Sequence, residues 1–453
     1  MSGNRLGFGL KLALGAGDFG FNLYWQFASL YLLFFYTDVV GLRPEIAGAI
    51  YMAALIWDAA LDPLIGAVVD RTRTRYGRYR PYFMFGGIPL ALSFIAMFVG
   101  PTAGEAGAAL FATVVHFLFR TVYAIVAIPY AALFARVTND ARVRADLAGF
   151  RMIFATLAAV VVAALTLPLV RGLATTEEPN RGWLLIAIAF GLVAVVLMLL
   201  VAWAARGLDV DEPAKEAPVG ARTLVAALLS NKALLVVLGA VMIGQFCSTL
   251  FGKNLLYYFK YAFGREDLGG TALALTALTM VFFVPLFAWI ARRWGKRNAW
   301  IIGAVPSLIG LVMWHLVDGA SLELHFLALF LIGIGSAAYA VCFWAMLPDT
   351  VEYGEWRSGV RTESLVFGLG VLGQKVSLGL GAGLLGVALN HVGYVANVEQ
   401  SPETINGIKQ MMFWIPLIGG LCSLALICRY PISLALHAQI VDELAARREK
   451  KGG

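Results

Sequence analysis

The sequence predicts an all-α membrane protein of twelve transmembrane helices in two pseudo-symmetric six-helix bundles. Three observations carry that expectation. The chain of 453 residues is 60% hydrophobic and only 14% charged, whereas soluble domains average about a quarter charged residues. Its apolar residues gather into stretches long enough to cross a hydrocarbon core of about 30 Å, which takes about 20 helical residues. One long polar interruption, "RGLDVDEPAKEAPVGAR" at 206–222, divides those stretches into six and six.

In chain order the first six spans fall at 9–37, 44–69, 81–101, 105–136, 143–170 and 181–206. The second six fall at 231–262, 267–291, 298–317, 322–347, 361–391 and 409–434. The expected organisation is therefore an N-terminal bundle over 1–206, a linker over 207–230, a C-terminal bundle over 231–434 and a tail over 435–453. Basic residues set the orientation, because cytoplasmic loops of membrane proteins carry the excess of Lys and Arg. The loop after the second span, "DRTRTRYGRYRP", holds Arg71, Arg73, Arg75, Arg78 and Arg80, while "PTAGEAG" and "DGASLELH" on the other side hold none. Both termini are thus expected in the cytoplasm and the chain in a cell membrane, as a multi-pass protein of a bacterial inner membrane. A weak internal repeat supports two related halves: "GAVVDRTRTRYGRYRPY" after the second span resembles "FAWIARRWGKRNAW" after the eighth.

Several function classes drop out. The net charge of +7 sits in short clusters between apolar spans, which argues for loops and against nucleic acid. Cys247, Cys342, Cys422 and Cys428 all lie in apolar stretches without His partners, so no zinc site or disulfide framework is expected. "MSGNRLGFGLKL" lacks the continuous apolar core of a cleaved leader, so insertion is expected to rely on the first span. No GxxxxGK[ST] run is present to bind ATP, and no metal-ligand set or nucleophile–base pair marks an enzyme. No cofactor is expected.

Ionisable residues at membrane depth are costly and mark function by default. "IWDAALDPLIG" sets Asp58 and Asp62 one helical turn apart on a shared face. Two such carboxylates repel, which favours retention of one proton, so either a proton or a metal cation such as Na+ can sit there. The alternative is a structural ion pair with Arg151 or Lys375. Asp18, Arg120, Arg151 and Lys375 are the other charges near mid-span. Arg120 is read either as the anchor of an anionic substrate, since guanidinium pairs bidentately with carboxylate, sulfonate or phosphate, or as a packing partner of Asp18 or Asp58. His116 is a packed histidine or a proton relay. Asn22, Trp25, Gln26, Tyr123 and Gln245 offer the amide, indole and phenol groups that suit sugar hydroxyls and a pyranose face, with lipid exposure the alternative for Trp25.

"YTDVVG" (36–41), "IWDAALDPLIG" (56–66), "GRYRPY" (77–82), "AIPYAAL" (127–133) and "DTVEYGEW" (349–356) together resemble the glycoside–pentoside–hexuronide:cation symporters of the major facilitator superfamily. Melibiose permeases and a lysolipid-transporting branch are members. The resemblance implies secondary transport by alternating access, with Asp58 and Asp62 at a site for H+ or Na+. It further implies a substrate site at mid-membrane that includes Arg151 and Lys375. The sequence departs from melibiose permeases where Ala127 replaces a third cation-site aspartate and Phe21-Asn22 replaces a sugar-facing Lys-Asp pair. Losing an oxygen ligand favours H+ coupling, or a weakened or absent Na+ site. Gaining Arg120 makes the cavity more positive and favours an anionic glycoside such as a hexuronide. A lysolipid is the alternative substrate within the same fold; a membrane enzyme or a non-transporting sensor is the alternative of another class. The resemblance also implies a cytoplasmic gate in which Asp70, Asp349, Glu352 and Glu355 face Arg71, Arg73, Arg78, Arg144, Arg293 and Arg361. The expected partners are a sugar-like small molecule and membrane lipids, and the expected state is a monomer.

Overall fold

The computed structural model describes residues 7–101, 104–137, 141–175, 178, 180–208, 221–317 and 321–452. The side chains of 135–136, 141–142, 144–145, 221–225 and 448–452 lie outside that description. In the first part of the chain run α1 (Phe8–Phe34), α2 (Pro44–Arg71), α3 (Arg80–Ala96), α4 (Glu105–Arg136), α5 (Ala141–Leu173) and α6 (Arg181–Ala204). There follow α7 (Ala221–Ser230), α8 (Lys232–Tyr257), α9 (Asp267–Trp294) and α10 (Lys296–Leu316). The chain ends in α11 (Leu322–Ser358), α12 (Glu363–His391), α13 (Pro402–Cys428) and α14 (Leu434–Gly452). Short π-helical turns extend α1 over Phe35–Val39 and α8 over Tyr258–Ala262.

Ten of the described helices are long and apolar enough to cross a bilayer. Of the twelve expected spans, the first is diluted by Asp18, Asn22 and Gln26, and α3 has only 17 residues. Helix boundaries follow local chemistry. Pro44 opens α2, where its missing N–H is no loss. Gly359, at φ 71°, closes α11 by donating its N–H to the Glu355 carbonyl at 2.8 Å. Prolines inside α2, α3, α4, α5, α9, α10, α11 and α13 leave those helices unbroken. Membrane helices tolerate such prolines because neighbouring groups take up the freed carbonyls.

Three stretches differ from the expected layout. Residues 348–358, read as part of a polar connection, continue α11 through Pro348. The linker contains α7, and the tail forms α14. Tertiary packing is the reason in the first case, since Asp349, Thr350, Val351, Tyr353 and Gly354 are buried; packing rather than propensity stabilises most helices in proteins.

Contacts group the chain into two units. The first comprises Met1–Ala214 with Leu255–Ala274 and Ala382–Ile405. Within it α1 packs on α5 and α6, α2 on α4, and α3 on α4 and α6. α1 approaches α6 closely at Gly20, where a Cβ would lie 3.3 Å from the Ala194 Cα. Phe27 fills the centre of this packing, ringed by Phe94, Phe98, Trp183 and Phe190. The second unit comprises Lys215–Asn254, Leu275–Gly381 and Asn406–Gly453. Its core holds Phe287, Trp300, Phe343 and Met346, and α14 seals one end with Ile440 and Leu444.

Candidate functional site

Inside the first unit, α1 presents Asp18, Asn22 and Trp25 at a helical spacing that puts them on one face. Arg151 from α5 grips Asp18 with both ends of its fork, Nε donating to Oδ2 at 2.5 Å and Nη2 to Oδ1 at 3.2 Å. The Tyr130 hydroxyl from α4 lies 2.8 Å from the same Oδ2. The Arg151 guanidinium also stacks 4.4 Å over the Phe134 ring. Asn22 turns back to donate to the Asp18 carbonyl at 2.8 Å. The structure therefore commits Arg151 to Asp18. The hydrogen bonds of this guanidinium go to Asp18 and not to Asp58 or Asp62.

Arg120 on α4 is built differently. It is 0% exposed, and its Nε donates to His116 Nε2 at 3.3 Å. Trp25 covers it at 5.1 Å and Phe119 at 5.7 Å. Neither Nη1 nor Nη2 has a hydrogen-bond partner among the described residues. The buried Tyr36 hydroxyl, within coulombic reach of this guanidinium, is in the same position. Rings of Tyr36 and Tyr51 flank His116 at 6.1 and 5.3 Å, so His116 is a packed residue as well as the acceptor for Arg120. A buried donor without an acceptor costs about 1–3 kcal/mol, and more when charged.

Asp58 on α2 is also 0% exposed, and Asp62 one turn on is half-buried. Tyr123 links the groups: its hydroxyl lies in the fields of Asp58, Arg120, Asp18 and Asp62. Trp25 stands 5.9 Å from the Tyr123 ring. The first unit thus brings Asn22, Trp25, Arg120, Tyr123, Arg151, Asp58 and Asp62 into one interior, with Gln26 on the same helix. Gln245 and Lys375 belong to the second unit, where Gln245 Nε2 donates to Thr249 Oγ1 at 3.2 Å and Lys375 is half-buried on α12.

The proposed gate residues divide between the two units. In the first, Arg78 is buried and donates to Asp70 Oδ1 at 3.0 Å and to the Val69 carbonyl at 3.2 Å. Arg71 ends α2, and the Arg144 side chain lies outside the described residues. In the second, Asp349 pairs with Lys296 at 2.5 Å, and His437 from α14 stands 2.7 Å from Glu352 and 3.2 Å from Asp349. Glu355 pairs with Arg361 at 2.9 Å, and Arg293 is exposed in the last turn of α9. Asp349, Glu352 and His437 place ligand atoms within 4.8 Å of one another, the one group among the described residues with metal-ligand spacing. The Lys296 ammonium already supplies a cation there. Sequence reasoning missed His437, whose only signal was its place in an amphipathic tail.

Known proteins agree with this architecture. The family described as MFS/sugar transport protein matches residues 13–434. The isoprimeverose transporter of Lactiplantibacillus pentosus is 30% identical over 424 residues, covering 92% of this chain and 87% of its own length. The glucuronide carrier protein homolog of Escherichia coli (strain K12) is 29% identical over 438 residues, covering 96% and 94%. A crystal structure of a D-xylose–proton symporter superposes with a TM-score of 0.68 at 14% identity, covering 94% of this chain and 98% of the other; it bears on the fold alone.

Proposed function

The chain belongs to the MFS/sugar transport protein family, within its glycoside–pentoside–hexuronide:cation symporter group, and from that premise we propose that it carries an anionic glycoside together with a proton. It is a membrane transporter and not an enzyme. Alternating access moves the bundles 1–206 and 231–434 about a mid-membrane site, with the termini in the cytoplasm and the chain acting as a monomer in a bacterial inner membrane.

The observation that carries the substrate class is Arg120, whose two Nη groups are buried and point at no acceptor among the described residues. A carboxylate or sulfonate accepts two parallel N–H bonds from such a fork. Trp25 and Tyr123 supply the flat surface and hydroxyl that a pyranose uses, and Asn22 and Gln26 lie on the same helix. Gln245 and Lys375, in the second unit, are the further polar side chains this reading assigns to the substrate. The relatives' names include an isoprimeverose transporter and a glucuronide carrier, so this pocket chemistry and not family membership selects the anion. Asp58 and Asp62 bind the coupling ion. With Ala127 in place of a third carboxylate the site has few oxygen ligands for Na+, whereas a proton needs only one carboxylate oxygen.

Binding of a glucuronide and of its neutral glucoside to the purified protein, with and without Arg120→Gln, tests the reading. The expected result is a selective loss of about 10- to 100-fold for the glucuronide, the worth of a charged hydrogen-bonded pair. Equal loss for both ligands makes Arg120 a fixed counter-charge in the field of Asp58 instead.

A further inference from the structure

The ends of α1 and α8 repeat one another in a detail that the transport reading does not use. Each helix finishes in a π-helical turn, "FYTDVVG" from 35 and "YFKYAFG" from 258, offset by 223 residues. The backbone register is the same in both. Val40 N–H donates to the Phe35 carbonyl and Leu42 N–H to Tyr36, each at 2.9 Å; Phe263 N–H donates to Tyr258 at 2.9 Å and Arg265 N–H to Phe259 at 2.8 Å. A glycine with positive φ follows each turn, Gly41 at 80° and Gly264 at 70°. Such π turns concentrate at functional sites.

The two turns meet through charge. Asp38, on the first, has a side chain only 1% exposed and accepts from Lys260 on the second at 2.8 Å. Tyr261 donates to the same oxygen. Thr37 and Tyr394 donate to the other, each at 2.7 Å. Asn397, held at φ 58°, donates to the Asp38 carbonyl at 2.6 Å and accepts from Lys260 at 2.7 Å. Beside the cluster, the start of α2 and the end of α12 touch so closely that a Cβ on Gly386 would lie 2.2 Å from the Pro44 carbonyl oxygen. All these residues belong to the first contact unit, although Lys260, Tyr261, Gly386, Tyr394 and Asn397 come from the second half of the sequence.

We propose that the paired π turns are a latch, centred on Asp38, that closes the transport path at the face opposite the N-terminus and opens in each cycle. The inference rests on the alternating-access reading but not on the identity of the substrate. Polar joints suit this role because water replaces each lost hydrogen bond on opening, whereas an apolar seam would expose bare surface. One carboxylate gathers four side-chain donors from both halves of the sequence, so its contacts form or break together.

The test uses Leu33→Cys, which lies one turn below Thr37 on the same face of α1, and labels it with a bulky membrane-impermeant maleimide applied at the latch face. Asp38→Asn and Lys260→Met are each expected to speed its labelling about tenfold or more, with Tyr394→Phe intermediate, as a buried charge loses its partner. The native Cys342, 0% exposed in the second unit, is the control and is expected to stay unreactive. Unchanged labelling of Leu33→Cys in both folded variants overturns the latch. Faster labelling of Cys342 in step also overturns it, because the cluster then supports the whole fold. No sugar enters these measurements. Variants that open while no glucuronide binds leave the latch standing and remove the substrate assignment.

Discussion

Two buried charges in the same unit, Asp38 and Arg120, have opposite surroundings. Asp38 has four side-chain donors on its two oxygens. Arg120 has one neutral acceptor at its Nε and none among the described residues at either Nη. A saturated buried charge joins the segments that surround it, whether permanently or in one state of a cycle, whereas one with open hydrogen-bonding groups leaves room for an incoming partner. The Asp18–Arg151 pair, bonded at both prongs, falls on the saturated side even though family resemblance places Arg151 at the sugar. Arg151 ties α1 to α5 through Asp18, and the proposal above gives the ligand contact to Arg120.

The largest expected effect comes from the other deeply buried acid. Asp58→Asn should abolish concentrative uptake, by about 100-fold or more, while equilibrium exchange of substrate persists, because a permanently neutral side chain cannot exchange a coupling proton. Normal accumulation by this variant, measured in proteoliposomes with an imposed pH gradient, would move ion coupling elsewhere. Next in size, Asp18→Ala strands the Arg151 guanidinium and should lower stability by about 2–4 kcal/mol, the lower part of the range reflecting partial exposure of Arg151. Thermal unfolding reads this; little change in stability together with lost binding would move Asp18 to the ligand side of the contrast. Trp25→Ala removes the ring over Arg120 and should weaken glucuronide binding by about three- to tenfold, the scale of one cation–π contact. An equal effect on the neutral glucoside would give Trp25 a stacking role instead.

The smallest effect lies at the far end of the chain. Glu443 on α14 is held below the usual carboxylate range by the Trp356 indole N–H, donating at 2.7 Å, and by Gln439. A depressed carboxylate contributes attachment that is present above its unfolded-state range and lost as pH falls through its folded one. Hydrogen exchange in α14 should therefore rise slightly on acidification, and Trp356→Phe should remove that pH dependence. Its failure to do so would mean that the buried Ile440 and Leu444 hold the helix alone.

Much of this was legible in the sequence, and the part that was not has a geometric cause. Asp58, Arg120 and Arg151 stand out because charge at membrane depth is rare, and each proves partly or wholly buried. In the sequence "YTDVVG" stands out only as a family motif; set beside "YYFKYAFG" in the structure it is one half of a repeat. The identity of the matching residues is too low to notice without the shared π-turn register. His437 could not be foreseen, since its meeting with Glu352 depends on how α14 folds back over α11.

The sequence by itself determined the membrane class, the long apolar helices, the expected sidedness and the transporter family. These follow from hydropathy, loop charge and local motifs, which are additive along the chain and need no knowledge of neighbours. The tertiary structure alone decided that Arg151 belongs to Asp18, that Lys296 and His437 belong to Asp349, that Asp38 joins two π turns, and that neither Nη of Arg120 has a partner among the described residues. A hydrogen bond exists or fails within about 0.5 Å. Residue spacing sets a side chain's height on a helix, and helix rotation and packing set whether it reaches its partner.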